Sequence, residues 1–124
     1  MSNRILIVDD EPSIRHLLRN VLVDEHYQVE TAGSTMEALS RLEEGPFDVA
    51  IVDLLLPGPN GLILAESIRM LDPGTPVILI TAYGSPSFEM MASHPAVTHY
   101  VHKPFTLERL LGVVYECLGD SART

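Results

Sequence analysis

The sequence lacks three features that mark large classes of protein. It has one cysteine, Cys117, so it cannot form an internal disulfide and does not call for an oxidising compartment. No apolar run approaches the roughly 18 residues of a membrane span, and the first residues lack the basic and then apolar pattern of a signal peptide. These absences predict a soluble, cytoplasmic protein that does not attach to a membrane.

Basic residues are also scarce. Eight Lys and Arg residues stand against 17 Asp and Glu residues, which gives a formal net charge of −9 at pH 7. A surface with this charge repels polyphosphate, so the sequence argues against direct nucleic acid binding by this segment. The chain contains a single lysine, Lys103. Where this single lysine lies in the fold therefore bears on whether it has a function.

Five short apolar runs, most of them rich in Val and Ile, divide the chain. They are Ile5–Val8, Tyr27–Thr31, Val49–Val52, Val77–Ile80 and Thr98–Val101. The first, third and fourth runs are continuous, which is typical of strands buried on both faces of a parallel sheet. The second run alternates with polar residues and predicts an edge strand.

Helical patterns separate these runs. The first helix has an apolar face at Ile14, Leu17, Leu18, Val21 and Leu22. Ser34 and Glu37 have the spacing of a capping box before a second helix, which Gly45-Pro46 ends, and a third spans Leu62–Leu71. The fourth, between Ser85-Pro86 and His94-Pro95, is short. Thr106 caps a fifth, which ends at Gly119 and has its stripe at Leu107, Leu110, Leu111, Val114 and Leu118.

Strict alternation of strands and helices predicts an α/β fold. Right-handed crossovers place helices on both faces of an open, doubly wound, five-stranded parallel sheet with strand order 2-1-3-4-5, a flavodoxin-like (βα)5 three-layer sandwich. Residues 1–119 form this one domain, because 124 residues with 46% hydrophobic content suffice for one core. Residues 120–124 are interpreted as a C-terminal tail or the start of a linker.

Polar residues follow four of the predicted strands. Asp9-Asp10-Glu11 follows the first, Asp53 the third, Thr81 the fourth and Lys103-Pro104 the fifth. In doubly wound folds, ligands bind beyond the carboxyl ends of the strands, at the point where the strand order reverses. We therefore expect the three aspartates to converge in one pocket between the first and third strands.

Converging carboxylates need a cation, because each pair at about 4 Å repels by roughly 4 kcal/mol at an effective dielectric constant of about 20. Oxygen ligands without His or Cys favour Mg²⁺, with Mn²⁺ as the alternative. Beside a metal and a lysine, Asp53 is a candidate nucleophile toward a phosphoryl group. Lys103 and the Thr81 hydroxyl then neutralise and hold the other phosphoryl oxygens.

These motifs together resemble the receiver domain of response regulators in bacterial two-component signalling. The resemblance covers nearly the whole chain, in the order Ile5-Leu6-Ile7-Val8-Asp9-Asp10-Glu11-Pro12, Asp53 with Leu56-Pro57 and Asn60-Gly61, Thr81-Ala82-Tyr83-Gly84, and Tyr100-Val101-His102-Lys103-Pro104-Phe105. It implies that Asp53 accepts a phosphoryl group from a histidine kinase or phosphotransfer protein. The domain would then act as a signalling switch rather than as a conventional enzyme.

The resemblance also implies roles for single residues. Asp9, Asp10, Asp53 and the backbone carbonyl of Leu55 would bind Mg²⁺. Lys103, Thr81 and Ala82 would contact the phosphoryl group, and Lys103-Pro104 would have a cis peptide bond. Tyr100 occupies the position of an aromatic ring that turns inward when Thr81 moves.

The resemblance further implies an output through the surface of the fourth helix, fifth strand and fifth helix, where Phe88, Met90 and Met91 offer apolar contacts. That surface would act on an effector domain or partner, or form a phosphorylation-dependent homodimer. The start at Met1 favours the N-terminal receiver of a regulator, such as a transcriptional one. The apolar side chains of Leu55 and Tyr83 beside the site predict slow loss of the phosphoryl group.

Three other functions share part of this pattern. An aspartyl-phosphate phosphatase needs a second acid two residues after the nucleophile, where this chain has Leu55. A flavin or nucleotide module needs a Gly-, Ser- or Thr-rich loop after the first strand, where this chain has Asp9-Asp10-Glu11. The remaining alternative is a receiver-like module that binds partners without phosphorylation.

Overall fold

The structure, a computed structural model, describes residues 3–82 and 94–119. Its strands are β1 (Arg4–Val8), β2 (Gln28–Ala32), β3 (Val49–Asp53), β4 (Val77–Ala82) and β5 (His99–Lys103). Its helices are α1 (Pro12–Asp24), α2 (Thr35–Glu43), α3 (Gly61–Leu71) and the last helix (Leu107–Leu118). The predicted fourth helix, its apolar residues and Tyr83 lie outside the described residues.

The five strands form one parallel sheet in the order β2-β1-β3-β4-β5. This confirms the predicted doubly wound α/β fold, with the order reversing between β1 and β3. Val8 at the end of β1 lies beside Val52 of β3, and Asp53 lies beside Ile80 of β4. The carboxyl ends of the strands therefore meet at one edge of the sheet.

Apolar residues bury both faces of the sheet. On one face Ile5, Ile7 and Ile51 pack with residues of α1 and the last helix. On the other face Leu6 and Val52 pack with residues of α2 and α3. Because neighbouring residues of a strand point to opposite faces, a strand between two helix layers must be apolar at every position. This explains why β1 and β3 are continuous apolar runs.

Side-chain caps fix where three of the helices begin. The Ser34 hydroxyl oxygen accepts a hydrogen bond from the Glu37 backbone N–H (3.2 Å), as the capping-box spacing predicted. Thr106 accepts from the Arg109 N–H (3.0 Å) at the start of the last helix. Asn60 accepts from the first turn of α3. The last helix ends at Gly119, whose φ of 72° is a left-handed conformation that glycine adopts without strain.

Two helix faces differ from the prediction. Leu17 of α1 is 47% exposed and Leu107 of the last helix is 36% exposed, although both belong to the predicted apolar stripes. The last helix instead buries Val113 and Tyr115 in addition to Leu110. Spacing alone does not fix how a helix is rotated against the sheet, so residues at the margin of a predicted stripe can remain partly exposed.

Three strands extend beyond their predicted apolar runs. β3 ends at Asp53, β4 at Ala82 and β5 at Lys103. The strands therefore include Asp53, Thr81 and Lys103, whereas Asp9 and Asp10 follow β1. Within the two described ranges, no helix has both the length and the apolar character needed to cross a membrane.

Candidate functional site

Three carboxylates meet at the edge of the sheet where β1 and β3 end. Asp9, Asp10 and Asp53 each place a carboxylate oxygen within 4.8 Å of the others. Asp9 and Asp53 are buried, with exposed fractions of 2% and 4%, whereas Asp10 is exposed. The convergence that the strand ends predicted is present in the structure.

Backbone groups hold Asp9 on several sides. Its Oδ1 accepts a hydrogen bond from the Glu11 N–H (2.9 Å), and its own N–H donates to the Ala32 carbonyl (3.1 Å). Its Oδ2 is buried and has no hydrogen-bond partner among the described residues. A buried carboxylate oxygen without a partner is costly, so this atom is a candidate ligand for a cation.

The surroundings of Asp9 disfavour its negative charge. Burial, followed by the negative charge of Asp53, raises the pKa of Asp9 from 3.8 to about 6. The hydrogen bond from Glu11 and the charge of Lys103 oppose this rise without cancelling it. A divalent cation among the three carboxylates would remove the repulsion that causes part of it.

Asp53 is held by Lys103 and by its own loop. Lys103 Nζ lies 2.8 Å from Asp53 Oδ2, and the Leu55 backbone N–H donates to Asp53 Oδ1 (3.0 Å). Burial acts to lower the pKa of Lys103. The hydrogen bond to Asp53 and the surrounding carboxylates outweigh burial, so the pKa of Lys103 is raised and the lysine stays charged.

The donor set fits a hard divalent cation. All three converging side chains offer oxygen, and the buried Oδ2 of Asp9 has no other partner. Mg²⁺ takes few protein carboxylates and keeps several waters, and the exposure of Asp10 leaves the site open to solvent on one side. The residues present therefore fit Mg²⁺.

The ends of β4 and β5 place the remaining predicted residues near this edge. Thr81 is buried at 1% exposure, and its hydroxyl donates to the Ala82 carbonyl (3.3 Å). Ala82 pairs with Lys103 across the two strands, and the bond between Lys103 and Pro104 is cis.

Tyr100 lies in β5, where its register partner in β4 is Leu79. It is partly buried and packs against the core cluster on the α2 and α3 side of the sheet. Burial raises the pKa of its hydroxyl, while a hydrogen bond with the backbone of His94 acts in the opposite direction. The ring is therefore partly buried against the α2 and α3 side of the sheet.

Leu55 projects from the loop that follows Asp53. Its side chain is 69% exposed, so it does not enclose the carboxylate by itself. Tyr83, the other side chain on which slow phosphoryl loss depends, lies outside the described ranges. The slow loss of the phosphoryl group stays a prediction.

Sequence reasoning missed three residues that support the site. The Arg15 guanidinium donates to the Asp9 backbone carbonyl (2.6 Å), and the buried Thr35 hydroxyl donates to the Pro59 carbonyl (2.7 Å). Gly61 passes so close to β3 that an added Cβ would lie 2.2 Å from the Asp53 carbonyl oxygen. Asn60-Gly61 belongs to the motifs of the resemblance, but the sequence does not show how close Gly61 lies to β3. A contact between a side chain and a distant carbonyl leaves no periodic pattern in the sequence.

A cavity of about 520 Å³ opens beside the acidic cluster. Asp9 and Lys103 lie on its wall, and Leu17 and Leu107 line it as well. The two partly exposed leucines of the predicted stripes therefore line this cavity. Its apolar wall therefore reaches the edge of the candidate site.

Comparison with known proteins gives a consistent result. Residues 5–115 match the model of the response regulator receiver domain family. The chain is 38% identical over 115 residues to the response regulator protein PilR of Pseudomonas aeruginosa, and 35% identical over 121 residues to the transcriptional regulatory protein ResD of Bacillus subtilis. These matches cover 93% and 98% of this chain but 26% and 50% of the relatives, so the chain spans half of those proteins or less.

Solved structures show the same likeness. A CheY-like response regulator receiver domain protein from Methanospirillum hungatei superposes with a TM-score of 0.89 at 33% identity, covering 96% of this chain and 95% of the other. The response regulator TrrA of Thermotoga maritima, solved in complex with Mg²⁺-BeF, gives a TM-score of 0.80 at 36% identity, covering 95% of this chain and all of the other.

Proposed function

Because the chain belongs to the response regulator receiver domain family, we propose that it is a signalling switch controlled by phosphorylation of Asp53. The phosphoryl donor is a phosphohistidine of a histidine kinase or phosphotransfer protein. The observation that carries the proposal is the position of the buried Asp53 carboxylate, which lies between Lys103 and the acidic pair Asp9 and Asp10. Phosphoryl transfer depends on positioning and on neutralisation of charge, which Lys103 and a cation at the acidic cluster would supply.

The proposed reaction forms one bond and breaks another. A carboxylate oxygen of Asp53 attacks phosphorus, and the bond between phosphorus and the histidine nitrogen of the donor breaks. The electron pair of that bond stays on the imidazole, which takes up a proton from solvent. The product on this chain is an acyl phosphate at Asp53.

Different residues of the site position the reacting groups and neutralise the charge of the phosphoryl group. Lys103 keeps its positive charge and moves from the Asp53 carboxylate to an oxygen of the arriving phosphoryl group. The Leu55 N–H holds Asp53 Oδ1, which fixes the direction from which Oδ2 attacks. Asp9, Asp10, Asp53 and the Leu55 carbonyl would hold Mg²⁺, which when bound would supply a second positive charge for the phosphoryl oxygens.

The proposed output follows from the charge that the phosphoryl group adds. The group adds about 1.5 to 2 negative charges and three acceptor oxygens, which attract the buried Thr81 hydroxyl and the Ala82 N–H. Thr81 now bonds to the Ala82 carbonyl, so this movement rearranges the end of β4. Tyr100 follows Thr81 and changes the surface that β5 and the last helix form with the predicted fourth helix.

The partners of the switch are part of the proposal. ResD is named as a transcriptional regulatory protein, which supports an output domain or partner that acts on transcription. Residues 1–119 then form the receiver and residues 120–124 a tail or linker start, and this segment does not contact nucleic acid. The proposed location is the cytoplasm, and phosphorylation promotes a homodimer.

Intact-mass measurement after incubation with acetyl phosphate tests the proposal. The wild-type protein with Mg²⁺ gains one phosphoryl group, whereas Asp53→Asn and a chelator-treated wild-type sample gain none. Asp24→Asn removes an exposed carboxylate at the end of α1 and serves as the matched control, which is phosphorylated like the wild type. A folded wild-type protein that stays unmodified in Mg²⁺, or equal modification of Asp53→Asn, contradicts the proposed function.

A further inference from the structure

Arg15 contacts the backbone of the acidic pair Asp9 and Asp10, and the proposed function gives it no role. Arg15 lies in α1, one turn beyond the pair, and its Nη1 donates to the backbone carbonyl of Asp9 at 2.6 Å. That carbonyl belongs to the peptide that joins Asp9 to Asp10. The hydrogen bond is short and charge-assisted, which makes it one of the stronger contacts in this part of the chain.

The same peptide is the only covalent link from the buried Asp9 to the exposed Asp10. Asp9 is restrained on its N-terminal side, where its N–H donates to the Ala32 carbonyl (3.1 Å), and at its side chain by the Glu11 N–H. Asp10 is exposed and lies in a bend before the helix. A peptide plane held by Arg15 therefore sets where the Asp10 carboxylate stands relative to Asp9 and Asp53.

The loop after β2 leaves space for the guanidinium. A Cβ added to Gly33 would lie 3.1 Å from Arg15 Nη1, which is closer than an ordinary contact. Arg15 is partly buried against this loop, whereas Arg19, one turn further along α1, is exposed. Gly33 thus supports the orientation of Arg15 without carrying any charge.

We propose that Arg15 is a positioning residue for the divalent cation, acting through the Asp9–Asp10 peptide rather than by contact with the ion. The inference rests on the proposed function, because it assigns Arg15 to the cation site of that function. The proposed effect of Arg15 on cation affinity is opposite in sign to the effect of its positive charge. A positive charge near a cation site weakens binding, so an Arg that only contributed charge would improve the site when removed.

Removal of Arg15 therefore lowers the cation affinity if Arg15 positions the site, and raises it if Arg15 contributes only charge. The dissociation constant of Mn²⁺ is measured from the signal of the free ion in electron paramagnetic resonance, and that of Mg²⁺ by competition. Arg15→Gln is expected to bind both ions about tenfold more weakly than the wild type, as is typical for the loss of a group that orients a metal ligand. Arg19→Gln removes the same charge from the same helix and is expected to bind as tightly as the wild type or slightly more tightly.

Gly33→Ala separates geometry from charge. Its methyl group displaces the Arg15 guanidinium and leaves the net charge unchanged, so we expect affinity between that of the wild type and that of Arg15→Gln. At saturating Mg²⁺, the rate of phosphorylation by acetyl phosphate should return to the wild-type value in Arg15→Gln and in Gly33→Ala. A general loosening of the fold would lower that rate at any Mg²⁺ concentration.

Three results overturn the inference. Arg15→Gln could bind Mg²⁺ as tightly as Arg19→Gln, which would reduce Arg15 to a charge on the surface. Saturating Mg²⁺ could fail to restore the rate, which would make its role structural. A folded wild-type protein that binds neither ion would refute the cation site and the proposed function with it, whereas the first two results leave the proposed function intact.

Discussion

Asp9 carries a charge that its surroundings oppose when no cation is present. Its carboxylate is buried, one oxygen has no hydrogen-bond partner among the described residues, and Asp53 adds a second negative charge nearby. Burial and the neighbouring Asp53 raise the pKa of Asp9 from 3.8 to about 6. The folded state therefore holds a proton on Asp9 at pH values where the unfolded chain has released it.

The first prediction is that Asp9→Asn stabilises the protein in Mg²⁺-free buffer at pH 7. Because the pKa is raised in the folded state, the favourable contribution of neutral Asp9 is fully present below pH 3.8 and is lost as the pH rises through about 6. Asn stays neutral and keeps an oxygen for the Glu11 N–H. We expect the free energy of unfolding to increase by about 1–3 kcal/mol at pH 7, from a shift of about two pKa units.

Urea unfolding at a series of pH values measures this difference. The advantage of Asp9→Asn should shrink between about pH 6 and pH 4, since the wild-type side chain becomes neutral over this range. Asp24→Asn, which removes an exposed carboxylate, should change stability by no more than about 0.5 kcal/mol. An Asp9→Asn variant that is less stable than the wild type at pH 7 would contradict the electrostatic account of Asp9.

The charged residues of the site could be predicted from the sequence, but the residues that hold them in position could not. Asp9, Asp53 and Lys103 could be placed together because each follows a predicted strand and parallel strands end at one edge. Arg15 and Thr35 act on backbone carbonyls, which every residue has, so the sequence does not show which carbonyl they reach. Only the folded chain shows those contacts.

At the scale of the elements, the junction between β3 and α3 is tightly constrained. The Gly61 N–H donates to the Leu54 carbonyl (2.8 Å), and a Cβ at Gly61 would lie 2.2 Å from the Asp53 carbonyl oxygen. The neighbouring atoms are backbone and cannot move aside as a flexible side chain does. α3 can begin this close to Asp53 only because residue 61 has no side chain.

The second prediction compares two Gly→Ala variants. Gly61→Ala forces β3 and α3 apart, and we expect it to lower the free energy of unfolding by about 2–4 kcal/mol. Gly112→Ala lies in the last helix with no neighbouring atom within 4 Å of the added Cβ, and it should raise stability by about 0.5–1 kcal/mol. Thermal unfolding of both variants checks the signs, and stabilisation by Gly61→Ala would contradict the close approach.

Element types followed from the sequence better than helix orientation did. Continuous Val and Ile runs identified β1, β3 and β4, and Ser34 and Thr106 marked the starts of two helices. Leu17 and Leu107 lie on the predicted apolar stripes but remain partly exposed, since the rotation of a helix depends on what packs against it. The apolar period restricts that rotation without fixing it.

The whole molecule combines a formal net charge of −9 at pH 7 with an acidic cluster at one edge of its sheet. A net charge of this size disfavours the compact state through repulsion, and any salt relieves part of that repulsion by screening. A bound divalent cation acts differently, because it stabilises the folded chain by mass action at one place. The two effects can be separated by comparing salts at equal ionic strength.

The third prediction is that MgCl₂ stabilises the protein more than NaCl of equal ionic strength. At a tenfold excess of Mg²⁺ over its dissociation constant, binding adds about 1.4 kcal/mol to the free energy of unfolding, which raises the melting temperature by about 5 °C. Asp10→Asn removes an exposed carboxylate of the cluster, so the variant should keep the screening effect and lose most of the difference between the two salts. Calorimetric melting curves of the two proteins measure both effects. Equal stabilisation of the wild type by the two salts would mean that the cluster holds no cation of its own, and that the molecule responds to Mg²⁺ only through its overall charge.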